Sequence, residues 1–157
     1  MSRLIITACT ATKRPDAGDM PAIDRYDGPS FRLIRKALRE LPVNDRPDLL
    51  IISAEYGLLL PNSPIANYNR WMTPERAKEL REQVLMLLGG YLDDERRYMN
   101  QQPSVTLINL GAAYLPALPL NAELRQRLGA ITYTSGGIGD RLGQMKRWLY
   151  QSEVQHG

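Results

Sequence analysis

The chain has 157 residues, with 20 basic against 17 acidic side chains and a net charge of +3. That length fits one compact domain, and 43% hydrophobic with 24% charged residues is the balance of a folded chain, not a disordered or collagen-like one. So small a net charge does not define a nucleic-acid surface, and a lone Cys9 with a lone His156 near the C-terminus excludes an internal disulfide and argues against a zinc or iron centre.

The chain opens MSRLIITACTATKRP. Its apolar run is far shorter than the roughly 20 residues of a membrane helix and lacks the longer apolar centre of a signal peptide, so a cytoplasmic protein with no membrane partner is expected. The branched run RLIITAC over 3–9 predicts a strand covered on both faces. A helix follows over 28–42, where Phe31, Ile34, Leu38 and Leu41 recur at helical spacing and Arg32, Arg35, Lys36 and Arg39 fall mostly away from them. Ser30 is a candidate N-cap, with a start one or two residues earlier as the alternative. DLLIISA over 48–54 predicts the second strand. It feeds SAEYGLLLPNSPIANYN, which reads as a ligand-facing loop with Pro61 and Pro64 limiting its motion and Tyr56 and Tyr68 closing over a planar group.

In TPERAKELREQVLMLLGGYLDDE, Thr73 stands as an N-cap and Pro74 at the first helical position, while Arg76 holds the place where the Glu of a capping box is expected. Ala77, Leu80, Val84 and either Leu87 or Leu88 give this helix its apolar face, and Gly89-Gly90 is expected to end or bend it. The polar segment 93–103 reads as a loop, and SVTLINL over 104–110 as the third strand. Prolines and a short helical tail fill 112–128 before the fourth strand, GAITYTS, over 129–135. The last helix, 139–151, sets Leu142, Met145 and Leu149 on one side, with Ile138 just before it and Trp148 close by, a pattern more typical of a core than of a cofactor box. Strands alternating with helices predict a single α/β domain over 1–157. It is expected to be three-layered and Rossmann-like, with a mostly parallel sheet of at least four strands and right-handed crossovers.

Ligands of open parallel sheets bind beyond the carboxyl ends of the strands, so the residues there are the candidates. They are Cys9, Thr10, Thr12 and Lys13 after the first strand; Ser53, Glu55, Tyr56 and Gly57 after the second; Asn109, Gly111 and Tyr114 after the third. After the fourth, Ser135, Gly136, Gly137 and Gly139 precede a helix and form either an anion cradle or a plain turn, since they match neither GxGxxG nor GxxxxGK[ST]. Lys13 is placed to pair with a phosphate or carboxylate or to lower the pKa of the Cys9 thiol; Cys9 itself is either a small buried hydrophobe or a nucleophile, and no nearby histidine serves as its base. Glu55 is the candidate general acid or base, with a carboxyl shielded by Tyr56 and the run 58–60, or else it pairs with Lys13 or an arginine. Tyr26, Tyr56, Tyr68 and Trp71 offer stacking faces, Asn67 and Asn69 polar edges, and Arg25 and Arg32 a phosphate contact. The alternatives are loop packing and a solvated helix face. Metal-assisted chemistry would need Asp19, Asp24, Asp27 or Asp140 to converge; no metal ligand set and no cofactor is named by these motifs.

Taken in order, CTATK, YDGPSF, ISAEYGLLLPNSPIANYN and GGIGDRLGQMKRWL resemble the pattern of a bacterial and phage domain-of-unknown-function family. That pattern is a strand ending in C-S-x-x-K, a Y-x-G-x-x-F segment, S-A-K-Y-G-L with a following proline and Tyr-rich stretch, and a glycine-rich turn into a helix. The chain is also distantly similar to the peroxide-stress protein YaaA and to base-modification proteins grouped near tRNA-guanine transglycosylase partners. The resemblance runs from Cys9 to Leu149 and falls on Cys9, Lys13, Tyr26, Gly28, Phe31, Ser53, Tyr56, Gly57, Tyr68 and Gly139. Here Glu55 stands where the family more often has lysine, and Thr10 where serine is common. The resemblance implies the fold more than a reaction.

Two functions compete on these residues. One is an enzyme acting on a nucleoside, nucleotide or nucleobase, by hydrolysis or transfer at an N-glycosidic bond, with Glu55, Lys13 and Cys9 as its catalytic candidates. The other is a non-catalytic nucleic-acid or nucleotide-binding module of a modification, defence or stress pathway, with basic stripes along 25–39 and 141–147. The expected partner is accordingly a nucleotide-like small molecule or a nucleic acid. A third reading makes the exposed aromatics a dimer contact.

Overall fold

The computed structural model describes residues 2–94 and 102–151. Its centre is a five-stranded sheet in the order β4-β3-β1-β6-β7. β1 (Arg3–Ala8) pairs in parallel with β3 (Asp48–Ser53) on one side and β6 (Val105–Asn109) on the other, and β7 (Ala130–Tyr133) adds in parallel to β6. β4 (Gly57–Leu59) closes the other edge as an antiparallel strand against β3. A separate two-residue pairing joins β2 (Met20–Pro21) to β5 (Pro64–Ile65).

Alternate side chains of the three inner strands point to opposite faces, and both faces are covered, which is why their sequences read as unbroken apolar runs. Leu4, Ile6, Leu50, Ile52 and Ile108 lie on one face with Leu80, Val84, Leu88 and Leu92 of α3 (Pro74–Asp93). Ile5, Leu49, Ile51 and Leu107 lie on the other with Phe31, Ile34 and Ala37 of α2 (Pro29–Glu40) and Met145 and Leu149 of α5 (Ile138–Gln151). Helices on both faces of a mostly parallel sheet make the fold a three-layer, Rossmann-like α/β arrangement. Two short helices, α1 (Ala22–Arg25) and α4 (Ala122–Arg127), complete it. Among the described residues no helix is long and apolar enough to cross a membrane.

Three features depart from the sequence expectation, and the start of α2 decides between its two alternatives. Residues 57–59 form an edge strand where a loop was expected, because Gly57 takes φ +74° and turns the chain back at once, so Ile51 pairs with Leu59 and Ser53 with Gly57. A Cβ at Gly57 would also lie 2.1 Å from Oε1 of Gln83, which accepts from the Leu58 amide. Helix α2 begins at Pro29 with Gly28 as its N-cap, two residues before Ser30, which is the earlier start the sequence left open, since proline suits the first helical position and a Cβ at Gly28 would strike the Thr10 side chain. Helix α3 starts as expected, with Thr73 Oγ1 accepting from the Arg76 amide, but it runs through Gly89 and Gly90 to Asp93. Burial of Leu88 and Leu92 holds the last turn against the local glycine penalty, and Leu88, not the exposed Leu87, faces the core. Ile138 is the first residue of α5 and is exposed. Most of the expected 93–103 loop, and His156, lie outside the described residues.

Candidate functional site

The chain runs from β1 outward to β3 and β4, then crosses over β1 to β6 and on to β7, so the strand order reverses between β1 and β6. In open α/β sheets a crevice opens at the carboxyl ends of the two strands flanking such a reversal. Here those ends deliver Cys9 and Thr10 from β1 and Asn109 and Gly111 from β6.

The best-defined feature is a cluster of hydroxyls, a thiol and an amine. Ser53 Oγ, at the end of β3, lies 2.8 Å from the Tyr68 hydroxyl, which lies 2.6 Å from that of Tyr26. Ser53 Oγ also accepts from the amides of Glu55 (3.1 Å) and Tyr56 (3.0 Å), so the turn after β3 is fastened to the same oxygen. The rings interlock: Tyr68 meets both Tyr26 and Tyr56 edge-on, with centroids 6.3 and 5.5 Å apart. Beside them the Cys9 thiol lies 3.0 Å from the Tyr114 hydroxyl. The Lys13 ammonium sits 4.4 Å from the Tyr68 ring centroid and 5.9 Å from that of Tyr26, within cation-π range of both. Lys13 also bridges to Tyr26 through its backbone.

Burial dominates the protonation of this cluster. It pushes the phenols of Tyr26, Tyr68 and Tyr114 well above the ordinary tyrosine value, and a charge on nearby Cys9 raises them further. Partial burial lowers the Lys13 ammonium below the usual lysine value, partly offset by Cys9. The three phenols therefore stay neutral, able to donate and accept, next to an amine that gives up its proton more readily than an exposed lysine does.

Lys13 and Cys9 open onto a cleft of about 300 Å³ that Tyr114, Asn69, Arg70 and Trp71 also line. Trp71 is 74% exposed, a large indole face offered to solvent at the cleft. Arg70 Nη1 holds the Glu55 carboxylate at 3.5 Å, and both side chains are about 40% exposed, so the pair is weak and separable. Glu55 thus lies behind the cleft lining, reached through Arg70, and is paired with an arginine and not with Lys13. The leucines expected to shield it are engaged elsewhere, Leu58 and Leu59 buried in the two cores as part of β4. Among the described residues no three His, Cys, Asp or Glu side chains gather as a metal site.

The remaining candidates divide. Tyr26 is fully buried and Tyr56 half-buried, so they support the cluster and do not offer open faces; Ser53 is buried as well. Gly57 serves the β3–β4 turn, and Gly111 lends its carbonyl to the amides of Tyr114 and Leu115. Asn67 uses its side-chain oxygen on the Tyr68 amide. Arg25 is buried and donates to the carbonyls of Arg14, Asp16, Gly18 and Ile65, which removes it from phosphate binding. Arg32 is exposed and paired with Asp27, whose carboxyl the Arg32 and Arg35 guanidiniums hold below the usual range.

The turn 135–139 is closed by its own side chains. Gln144 accepts from the Ser135 amide and donates to its carbonyl, and Arg141 donates to the Gly136 carbonyl. A Cβ at Gly136, where φ is +88°, would lie 3.0 Å from Asp140 Oδ2, so a carboxylate already faces the turn. Gly137 and Gly139 have open space where a Cβ would stand.

Arg70, and the support that Arg76 and Gln83 give, are absent from the sequence candidates. Arg76 donates to the carbonyls of Ala54 and Glu55, and Gln83 to that of Tyr56, so α3 holds the Glu55 turn from beneath. The signal for Arg76 was the cation standing at the capping-box position of α3.

No family model matches the chain, and no curated protein matches it in sequence. Among solved structures it is similar to that of AF0587, a protein of unknown function, at 12% identity and a TM-score of 0.46; the alignment covers 94% of this chain. The chain spans 44% of that protein's length.

Proposed function

We propose that the protein is a cytoplasmic enzyme acting on a nucleoside, nucleotide or nucleobase, by hydrolysis or transfer at an N-glycosidic bond. The observation that carries this reading is the composition of the Lys13 cleft: two cations, Lys13 and Arg70, an exposed indole, Trp71, and an amide, Asn69, around one opening at the strand reversal. A nucleobase stacks on Trp71 and presents its polar edge to Asn69, which both donates and accepts. An anionic group pairs with Lys13 and Arg70.

An anion that engages Arg70 competes with its loose contact to Glu55. The freed carboxylate then takes a proton from water, whose oxygen bonds to the anomeric carbon as the C–N bond breaks and the base departs with the bonding electrons and picks up a proton. The neutral Tyr114 phenol, which lines the cleft, keeps that wall polar without adding a charge that would repel the ligand.

The test is a thermal-shift screen of nucleobases, nucleosides and mononucleotides against wild type and Lys13→Ala. A ligand at a hundred times its Kd stabilises the folded state by about 2.7 kcal/mol. One ligand class should raise the melting temperature of wild type and lose most of that rise in Lys13→Ala. With the nucleoside or nucleotide that binds, chromatography should detect free base, released at least about tenfold more slowly by Glu55→Gln. Silence across the panel overturns the nucleotide reading. Binding without base release overturns the glycosidic step and favours the non-catalytic nucleotide-binding module.

A further inference from the structure

Thr10 and Ala11 wall two clefts at once. On one side is the Lys13 cleft; on the other a second cleft of about 310 Å³ opens between the first turns of α2 and α5. Each alone stands at the bottom of the size range of ligand sites, about 300–1,000 Å³, while the two together fall in its middle.

The second cleft differs chemically from the first. Pro29, Ile138, Leu142 and the buried Met145 give it a largely apolar lining. Ile138 is 75% exposed there, so a ring lying against it would remove apolar surface from water at about 25 cal/mol per Å². Arg141 lines the same cleft, fixed by its bonds to the Gly136 carbonyl and to Thr134 Oγ1, and Ser30 adds a hydroxyl.

The ridge between the clefts is rigid. Thr10 Oγ1 donates to the Thr12 carbonyl at 2.8 Å and accepts from the Gly28 amide at 3.3 Å, which ties the segment after β1 to the N-cap of α2. Gly28 has no Cβ, and one there would lie 2.7 Å from Thr10 Cγ2, so ridge and helix are in direct contact. A fixed ridge keeps the two spaces at a constant separation, which preorganises them for one extended ligand.

We propose that the ligand has two ring-bearing arms and straddles the Thr10–Ala11 ridge, its anionic arm in the Lys13 cleft and its second ring in the apolar cleft between α2 and α5. The class is a two-base nucleotide, of which a dinucleoside monophosphate is the simplest probe. The inference rests on the nucleotide reading of the first cleft and specifies its substrate.

Calorimetric titration of mononucleotides and of dinucleoside monophosphates with the same bases tests it. Wild type should bind the dinucleoside at least about tenfold more tightly. That preference should collapse toward one in Ile138→Asp, which alters an exposed position and leaves the core intact, and in Leu142→Trp, which fills the second cleft. Equal affinities in wild type, or a preference that survives both substitutions, overturns the two-armed ligand and leaves the first cleft as a mononucleotide site. Failure of both ligand classes to bind overturns the nucleotide reading and this inference together.

Discussion

Arg25 has no exposed surface, yet it is a cation, and its guanidinium is held by four backbone carbonyls in the segments around β2 and β5. It organises the loops that carry Tyr26 and Tyr68 and does not face a ligand. Arg25→Ala leaves those carbonyls without their donor; Arg14, Asp16 and Gly18 are exposed residues that water can serve, whereas the carbonyl of buried Ile65 is stranded, and an unsatisfied buried group costs about 1–3 kcal/mol. The variant should lose about 1–3 kcal/mol in urea denaturation; a loss under about 1 kcal/mol would show that water replaces the guanidinium throughout. The neighbouring phenols give a second expectation. Burial raises Tyr26, Tyr68 and Tyr114 above the ordinary value of 10.0. A raised folded-state pKa keeps its full stability below the unfolded value, and that stability is lost as pH climbs from there toward the folded value. The protein should therefore lose stability from about pH 10 upward, with three of its eight tyrosines ionising only as it unfolds. Ultraviolet titration that shows all eight ionising smoothly in the folded state would contradict the buried cluster.

At the scale of the element, glycines separate local preference from tertiary demand. Gly89 and Gly90 lie inside α3, with open space where a Cβ would be and no positive φ. Gly57 has φ +74° and the Gln83 side chain against it. Gly89→Ala should stabilise the protein by roughly 0.5–1 kcal/mol, whereas Gly57→Ala should destabilise it by about 1 kcal/mol or more. Thermal melts that give both substitutions the same sign would contradict this contrast. The same positions explain what the sequence could disclose. The runs at 3–9, 48–54 and 104–110 were legible as strands because burial on both faces makes β1, β3 and β6 apolar throughout; 129–135 was legible by its branched residues, although β7 is a mostly exposed edge strand and not one covered on both faces, and Thr73-Pro74 marked the start of α3 by local chemistry. The continuation of α3 past two glycines was not legible, because it depends on what Leu88 and Leu92 meet in the core. The short β4 was hidden because three residues carry no periodicity. In the candidate site, the residue types at the strand ends could be listed from sequence, but their pairing could not: Cys9 meets Tyr114 from 105 residues away, and Tyr26 meets Tyr68 from 42.

Across the whole molecule, the distribution of charge bears on the nucleic-acid alternative. The basic stretch 25–39 loses Arg25 to burial, while Arg32 and Arg35 both pair with Asp27 and Lys36 reaches Glu40. Arg14, Arg70, Arg76 and Arg127 also stand beside carboxylates. Arg141, at the start of the second basic segment, bonds the Gly136 carbonyl and Thr134. Phosphate-backbone binding needs several cations aligned and able to release counterions, and among the described residues the arginines of 25–39 that stand in ion pairs are poorly placed to do so. Short single-stranded oligonucleotides should therefore bind weakly at about 150 mM salt, and the affinity of the small nucleotide should change little between about 50 and 200 mM, as expected for one or two phosphate contacts. Fluorescence anisotropy over that range decides the matter. An oligonucleotide affinity that is strong at low salt and falls by about a thousandfold would require a continuous cationic track, and would move the function from the cleft to the surface around it.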